Sequence, residues 1–198
     1  MKLHYASALV VAGLFGAMPA HANTTVGQTP AADCFNAAQT VSRSGNALPD
    51  VLNRQALARC TEALSVSNRM NAKDRTATLV NRGTIESASG DVTASLADYD
   101  AALAMNPKMA EIYIDRGTAL MRAARYEDAR TSFNQAVALG GTNTYIAYLN
   151  RAMAEEKSGN INGAYQDYKQ AVALAPDYQP AKNELARFQT VVRPKQQG

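Results

Sequence analysis

The sequence has no tryptophan, and its only histidines, His4 and His21, lie near its start. Histidine is the side chain most often used as a general base or metal ligand near neutral pH. The chain also has no Cys-x-x-Cys pair and no glycine-rich phosphate loop. Its paired acids, such as Glu155 and Glu156, are typical of a solvated helix face. These absences argue against an enzyme and against any cofactor or metal.

Long apolar runs are absent as well. The most apolar stretch, residues 8–17, is too short to span a bilayer comfortably. It follows Lys2 and precedes Ala20 and Ala22, an arrangement typical of a secretory signal peptide. We therefore expect a signal peptide over 1–22, with an uncleaved anchor as the alternative. Cleavage would place the mature chain in the periplasm or outside the cell, without membrane insertion.

The net charge of the chain is small. Its formal net charge is +3, which falls to +2 if Lys2 leaves with the signal peptide. Nucleic acid and acidic membrane surfaces are bound by clustered Lys and Arg, and here these residues are scattered. We therefore expect no nucleic-acid partner.

One short motif recurs at a fixed interval. It reads VNRG, IDRG and LNRA, and its arginines, Arg82, Arg116 and Arg151, are 34 and 35 residues apart. A period in the thirties is typical of stacked supersecondary units. The sequence therefore predicts an internal repeat.

A second pattern follows each copy of the first: a small residue, an aromatic residue and an alanine at offsets of four and three. These offsets place all three on one helix face. The sets are Ser95, Tyr99 and Ala102; Ala129, Phe133 and Ala136; and Ala164, Tyr168 and Ala171. Gly90 and Gly159 lie between the two patterns, where they can end one helix before the next begins. Each unit therefore predicts two antiparallel helices.

This alternation resembles the tetratricopeptide repeat, a helical hairpin of about 34 residues. Three units within 76–178 match it, at 76–109, 110–144 and 145–178. The resemblance implies an all-α fold, an α-solenoid in which antiparallel hairpins stack into a superhelix. Glu86, Leu120 and Glu155 depart from the tyrosine usual in the family, which suggests a partly polar hairpin interior.

Similar helical patterns flank the three units. Upstream, Cys60 occupies the aromatic position of the second pattern, so we interpret 31–67 as a divergent first hairpin. Cys34 is at a similar distance from the predicted turn, and an exported chain with two cysteines favours a disulfide over two free thiols. Such a bridge contributes roughly 3–4 kcal/mol on the loop-entropy estimate. The remaining segments are a C-terminal capping helix at 179–192 and flexible ends at 23–30 and 193–198.

The recurring arginine has a predicted partner in two units. Residues equally far from the turn of a hairpin face each other, and Arg82 and Asp98 each lie eight residues from Gly90. Arg151 and Asp167 have the same relation to the second turn glycine. We therefore expect two ion pairs within hairpins.

The middle unit lacks this partner, because Ser132 replaces the aspartate. Arg116 then needs another acceptor, either Asp98 of the preceding unit or a backbone carbonyl. The alternative for all three arginines is a row that binds carboxylates or phosphates of a partner; we favour the structural role.

The resemblance also implies a concave groove lined by the first helix of each unit, where the family binds peptides or helices. Its positions here are Val80, Thr84, Glu111, Ile114, Thr118, Met121, Leu149, Met153 and Glu156. A largely apolar lining suits an apolar or helical segment. The alternative is that these residues pack on one another and on the C-terminal helix.

Together these expectations describe a non-catalytic adaptor of the bacterial cell envelope that binds a peptide or helical segment of another protein. One alternative is a self-associating structural component, a homo-oligomer with no separate ligand. An enzyme of unrecognised type is the least favoured.

Overall fold

The computed structural model describes residues 29–65 and 70–191, and the regular structure in these ranges is entirely helical. The predicted signal peptide at 1–22, the tail at 193–198 and all but the end of the predicted segment at 23–30 lie outside the described residues. Within the described ranges, no helix is both long and apolar enough to cross a membrane.

The helices form a single succession of hairpins. They are α1 (Pro30–Ser44), α2 (Asp50–Ser65), α3 (Ala72–Ala88), α4 (Val92–Met105), α5 (Ala110–Arg122), α6 (Tyr126–Leu139), α7 (Thr144–Ser158), α8 (Ile161–Leu174) and α9 (Gln179–Val191). Each hairpin packs on the next, and α3, α5 and α7 also contact one another in order along one face. The predicted all-α solenoid is confirmed.

Capping side chains account for several helix boundaries. Asn71 accepts a hydrogen bond from the backbone N–H of Asp74 at 2.8 Å, which starts α3 at Ala72, before the predicted residue 76. Asp91 caps α4 in the same way. Gly159 ends α7 in the left-handed conformation. Ala124, at the corresponding turn of the middle hairpin, adopts a φ of 56° although it carries a side chain.

The first hairpin, α1 and α2, is joined at its cysteines. The sulfurs of Cys34 and Cys60 lie 2.08 Å apart, and both residues are fully buried. The same apolar cluster also contains Ala38 and Val41 of α1, Ala56 of α2 and Ile85 of α3. The first hairpin therefore packs against the repeats through the apolar surface that surrounds the cysteines.

Within each repeat, a small residue of the first helix allows close approach of the second. The ring of Phe133 on α6 lies against Gly117, and that of Tyr99 on α4 lies against Gly83. Ala152 occupies the same position in α7. The small residue of the predicted pattern is thus required for packing. The space left for a Cβ at this position differs between units.

Gly117→Ala is expected to lower the free energy of unfolding by about 1–3 kcal/mol, the usual cost of overpacking a core. An added Cβ would lie 2.5 Å from Cε1 of Phe133, and this buried ring has no room to retreat. Gly83→Ala is the graded comparison and should cost less, since its Cβ would meet Cε1 of Tyr99 at 3.0 Å and the carbonyl oxygen of Ser95 at 3.2 Å. Urea denaturation measures both variants, and an equal loss in the two would contradict the packing argument.

Candidate functional site

Two of the repeat arginines bind an aspartate of the same hairpin through two parallel hydrogen bonds. Arg82 donates from Nε to Asp98 Oδ2 at 2.6 Å and from Nη2 to Asp98 Oδ1 at 2.7 Å. Arg151 makes the same contacts with Asp167, at 2.6 and 2.8 Å. Both aspartates are buried, and hydrogen bonding to them raises the pKa of each arginine. The geometry suits a structural role, because these arginines are already engaged.

Arg116 uses neither of the acceptors considered from the sequence. It donates from Nε to Asp100 Oδ1 and from Nη1 to Ser132 Oγ, both at 2.8 Å. Both carboxylate oxygens of Asp98 instead accept hydrogen bonds from Arg82 of the preceding hairpin. Asp100 lies two residues after Asp98 on α4 and is exposed, so the ion pair of Arg116 lies nearer the surface than the other two.

All three arginines follow one pattern: each binds the second helix of its own hairpin and the second helix of the preceding hairpin. Besides its aspartate, Arg82 donates to Thr61 of α2 at 3.2 Å. Arg151 donates to Asn134 of α6 at 2.8 Å, and Asn134 occupies the position in α6 that Asp100 occupies in α4. Each arginine therefore links its own hairpin to the preceding one, and only the location of the acid changes.

The departures from the usual tyrosine place acids beside these pairs. Glu86 lies 3.8 Å from Arg82, and burial, followed by repulsion from Asp98, raises its pKa to about 7. Burial likewise raises the pKa of Glu155 beside Arg151. The hairpin interior is thus partly polar, with more carboxyl groups than guanidinium groups.

The apolar residues predicted for the groove are core residues in this structure. Val80, Ile114 and Leu149 are buried in three separate apolar clusters. Met121 and Met153 are buried in the cluster that contains Phe188 of α9. Neighbouring first helices approach so closely that these side chains fill the space between them. They therefore offer a partner little surface.

The polar groove residues have different surroundings. Glu156 accepts from both terminal nitrogens of Arg187 on α9, at 3.1 and 2.7 Å, and from the Tyr168 hydroxyl at 2.9 Å. The carboxylate of Glu156 is therefore already bound by α9. Thr84, Glu111 and Thr118 remain partly exposed. The accessible part of the predicted groove thus lies toward α3 and α5.

A small cavity lies in that part of the face, between the C-terminal end of α1 and helices α3, α4 and α5. Its volume is about 30 Å³. Most of its lining residues carry a hydroxyl group, and the lining residues are Val41, Ser42, Gly45, Thr84, Ser87, Tyr99, Asp115, Thr118 and Arg122. Of the groove residues predicted from the sequence, only Thr84 and Thr118 line it.

Asp115 lines this cavity but is not among the site residues predicted from the sequence. It is only 8% exposed, and its Oδ2 has no hydrogen-bond partner among the described residues. Burial, and then repulsion from Glu111, raises its pKa to about 7. The signal was present in the repeated motif, where Asn81 and Asn150 occupy the same position as Asp115.

Arg122, the basic residue of the cavity, is held elsewhere. It donates from Nη2 to the carbonyl oxygen of Gly45 at 3.1 Å, and burial lowers its pKa. No ion pair joins it to Asp115 in the part of the chain that the structure describes. The cavity therefore has a carboxyl group and a guanidinium group that do not neutralise each other directly.

Asp115→Asn is expected to stabilise the protein by roughly 2 kcal/mol at pH 8, since it removes an unsatisfied buried charge. With a folded-state pKa of about 7 and an ordinary value of 3.8, the folded chain retains a proton that the unfolded chain loses between these limits. The free energy of unfolding therefore falls as pH rises from about 4 to about 7, and is level above that range.

Urea denaturation at pH 5 and pH 8 tests this prediction. The wild type should lose more stability between the two conditions than Asp115→Asn, whose remaining slope comes from Glu86 and Glu155, two carboxyl groups whose pKa values are also raised. An asparagine variant that is less stable than the wild type at pH 8 would contradict the electrostatic account.

Possible metal ligands form no suitable cluster in the same part of the chain. Across residues 29–65 and 70–191, no group of three or more His, Cys, Asp or Glu side chains is placed to hold a metal ion.

The stacked hairpins and their inner face define the class of helical-repeat α-solenoids. The sequence model of the tetratricopeptide repeat matches residues 80–144 and 114–179, which together span just over half of the 198 residues. The chain therefore belongs to the tetratricopeptide repeat family.

Solved structures show the same fold. MamA from Desulfovibrio magneticus RS-1 is similar with a TM-score of 0.60 and 18% identity, over 84% of this chain and 86% of that one. The first tetratricopeptide domain of Spaghetti (RPAP3), bound to an HSP90 peptide, SRMEEVD, has a TM-score of 0.55 and 23% identity, over 60% of this chain and 94% of that one. The second such domain of human RPAP3, with an HSP70 peptide, has 24% identity and a TM-score of 0.55, over 60% of this chain and 98% of that one. Comparison with curated protein sequences found no match.

Proposed function

We propose that this protein is a non-catalytic adaptor that binds a segment of another protein on the face formed by α3 and α5. The observation that carries the proposal is the cavity beside Thr84 and Thr118, where the inner face is not filled by the chain's own core. The RPAP3 domains, which share the fold, are bound to peptides. Inner faces of helical solenoids are suited to such segments because they present a continuous concave surface.

We further propose that the mature protein acts in the bacterial cell envelope, after removal of residues 1–22. The sequence of that segment supports export. The pairing of Cys34 with Cys60 supports it independently, because disulfides persist in oxidising compartments. Peptide mapping of protein isolated from cells tests both statements: we expect a chain that begins at Asn23 and contains no free thiol. A full-length or reduced chain would refute envelope localisation.

Affinity capture from an envelope fraction tests binding. The bait is the mature chain, and the test variant is Thr118→Gln, which places a larger side chain at the cavity. Thr131→Gln, at an exposed position of α6, is the matched control. Substitution of Met121 or Met153 would be uninformative, since both are core residues.

We expect the wild type and Thr131→Gln to retain the same protein and Thr118→Gln to lose it, with similar thermal melts for all three. A wild-type bait that retains no protein, or equal retention by a folded Thr118→Gln, would overturn the proposed site.

Self-association is a second candidate, because two neighbouring apolar side chains near the start of α2 are exposed. Val51 and Leu52 of α2 are 58% and 52% exposed. A second copy could cover them. Light scattering over a range of concentrations decides this point, since a strict monomer would exclude it.

A further inference from the structure

Asp115 carries a charge where the flanking repeats carry an amide. Asn81 and Asn150 stand at the same position of α3 and α7, and both are buried there. An asparagine has nearly the same shape as an aspartate, so packing does not require the acid. The carboxylate costs stability in this place, because it is buried and its Oδ2 has no partner among the described residues. Costly buried charges are often retained for binding.

The cavity beside Asp115 has the size and the chemistry for one compact cation. Its volume of about 30 Å³ holds roughly two water-sized groups. Hydroxyl oxygens of Thr84, Thr118 and Tyr99 line it and can accept hydrogen bonds. An ammonium group has three donors on a compact centre, whereas a guanidinium group is planar and larger. The cavity therefore suits lysine better than arginine.

The charges around the cavity favour a cation near Asp115. Glu111, one helical turn earlier on α5, adds a second acid that acts on Asp115. The cation within the wall, Arg122, is directed to the carbonyl oxygen of Gly45 at the end of α1. Tyr99 is neutral, since burial raises the pKa of its hydroxyl well above its ordinary range. Asp115 is therefore the anionic group that a ligand in the cavity would meet.

We propose that a lysine side chain of the bound protein segment enters this cavity and forms an ion pair with Asp115. The inference rests on the proposed function, and it specifies the chemistry of the partner. It also separates this surface from the RPAP3 domains, whose HSP90 and HSP70 peptides both contain the acidic sequence EEVD. Such a segment would be repelled by Asp115 and Glu111.

A pair of peptides tests the proposal directly. The probe is the capped peptide Gly-Ser-Ala-Lys-Ala-Ser-Gly, and its control has norleucine in place of lysine. Titration is followed by amide NMR shifts of Thr84 and Thr118. Asp115→Asn removes the charge, and Asp177→Asn makes the same change at an exposed turn residue.

We expect the lysine peptide to shift both amides, and to bind roughly tenfold or more weakly to Asp115→Asn than to the wild type or Asp177→Asn. Acidification below about pH 6 should weaken binding to the wild type, because Asp115 then holds a proton. Equal binding of the norleucine peptide, equal binding by folded Asp115→Asn, or no shift with the lysine peptide would overturn the proposal. So would equal binding of free methylammonium, which would identify a small-ion site.

The same variant separates this inference from the proposed function. If the envelope protein captured by the wild type is captured equally by Asp115→Asn, the lysine contact is refuted while the adaptor role stands. If the wild type captures nothing, the adaptor role itself is refuted.

Discussion

Replacing Arg151 by methionine is expected to lower the free energy of unfolding by about 3–5 kcal/mol, the usual cost of leaving a buried charge without its partner. Both oxygens of Asp167 accept hydrogen bonds from this arginine, and Asp167 is buried. Glu155 lies on the same side and adds repulsion once the guanidinium is gone. Methionine keeps most of the apolar stem, so the loss reports on charge rather than on packing. Urea denaturation at pH 7 measures it.

Arg116→Met is the matched control, and we expect it to cost about 1 kcal/mol or less. Its acid partner, Asp100, is 58% exposed and regains water when the arginine is removed. The contrast also tests whether the arginines are primarily structural. A stable Arg151→Met that has lost its captured partner would favour a row of arginines that binds ligands, and equal costs at the two positions would contradict the buried-charge explanation.

The repeat period determined most of the architecture in advance, because each hairpin repeats the same local pattern. The small residue and the aromatic residue recur at positions fixed by that period and pack within one hairpin, and two of the arginines bind an aspartate of their own hairpin. The acceptor of Arg116 was harder to predict, since it lies on the preceding hairpin. A comparison of Asp100 with Asn134, which are 34 residues apart, indicates that the acid bound by Arg116 lies on α4 of the preceding hairpin.

The groove was predicted less well, for a physical reason. A position on the inner side of a first helix can either face solvent or fill the space between neighbouring first helices. Val80, Ile114 and Leu149 do the latter. The choice depends on how closely the helices approach, which periodicity alone does not fix. Asp115 was missed because the sequence does not show that this acid is buried and that one of its oxygens has no partner among the described residues.

Phe188→Ala is expected to cost about 3–5 kcal/mol and to detach α9 from the last hairpin. Phe188 is 1% exposed and lies against the rings of Tyr165 and Tyr168, with centroids 6.2 and 5.4 Å apart. Among the described helices α9 packs mainly on α8, and Phe188 is the aromatic side chain of α9 in that contact. Hydrogen exchange should show loss of protection in α9 while α3 to α6 stay protected.

Arg187→Gln is the informative companion, because it breaks the contact between α9 and Glu156 but leaves the apolar anchor in place. We expect α9 to stay protected in that variant, with a smaller loss of stability. If Arg187→Gln released α9 as fully as Phe188→Ala, the ion pair rather than the aromatic packing would hold the helix. Detachment of α9 also uncovers Glu156 on the inner face, so capture by Phe188→Ala shows how far α9 limits the surface. Unchanged capture would place the binding site on α3 and α5 alone, where Asp115 lies.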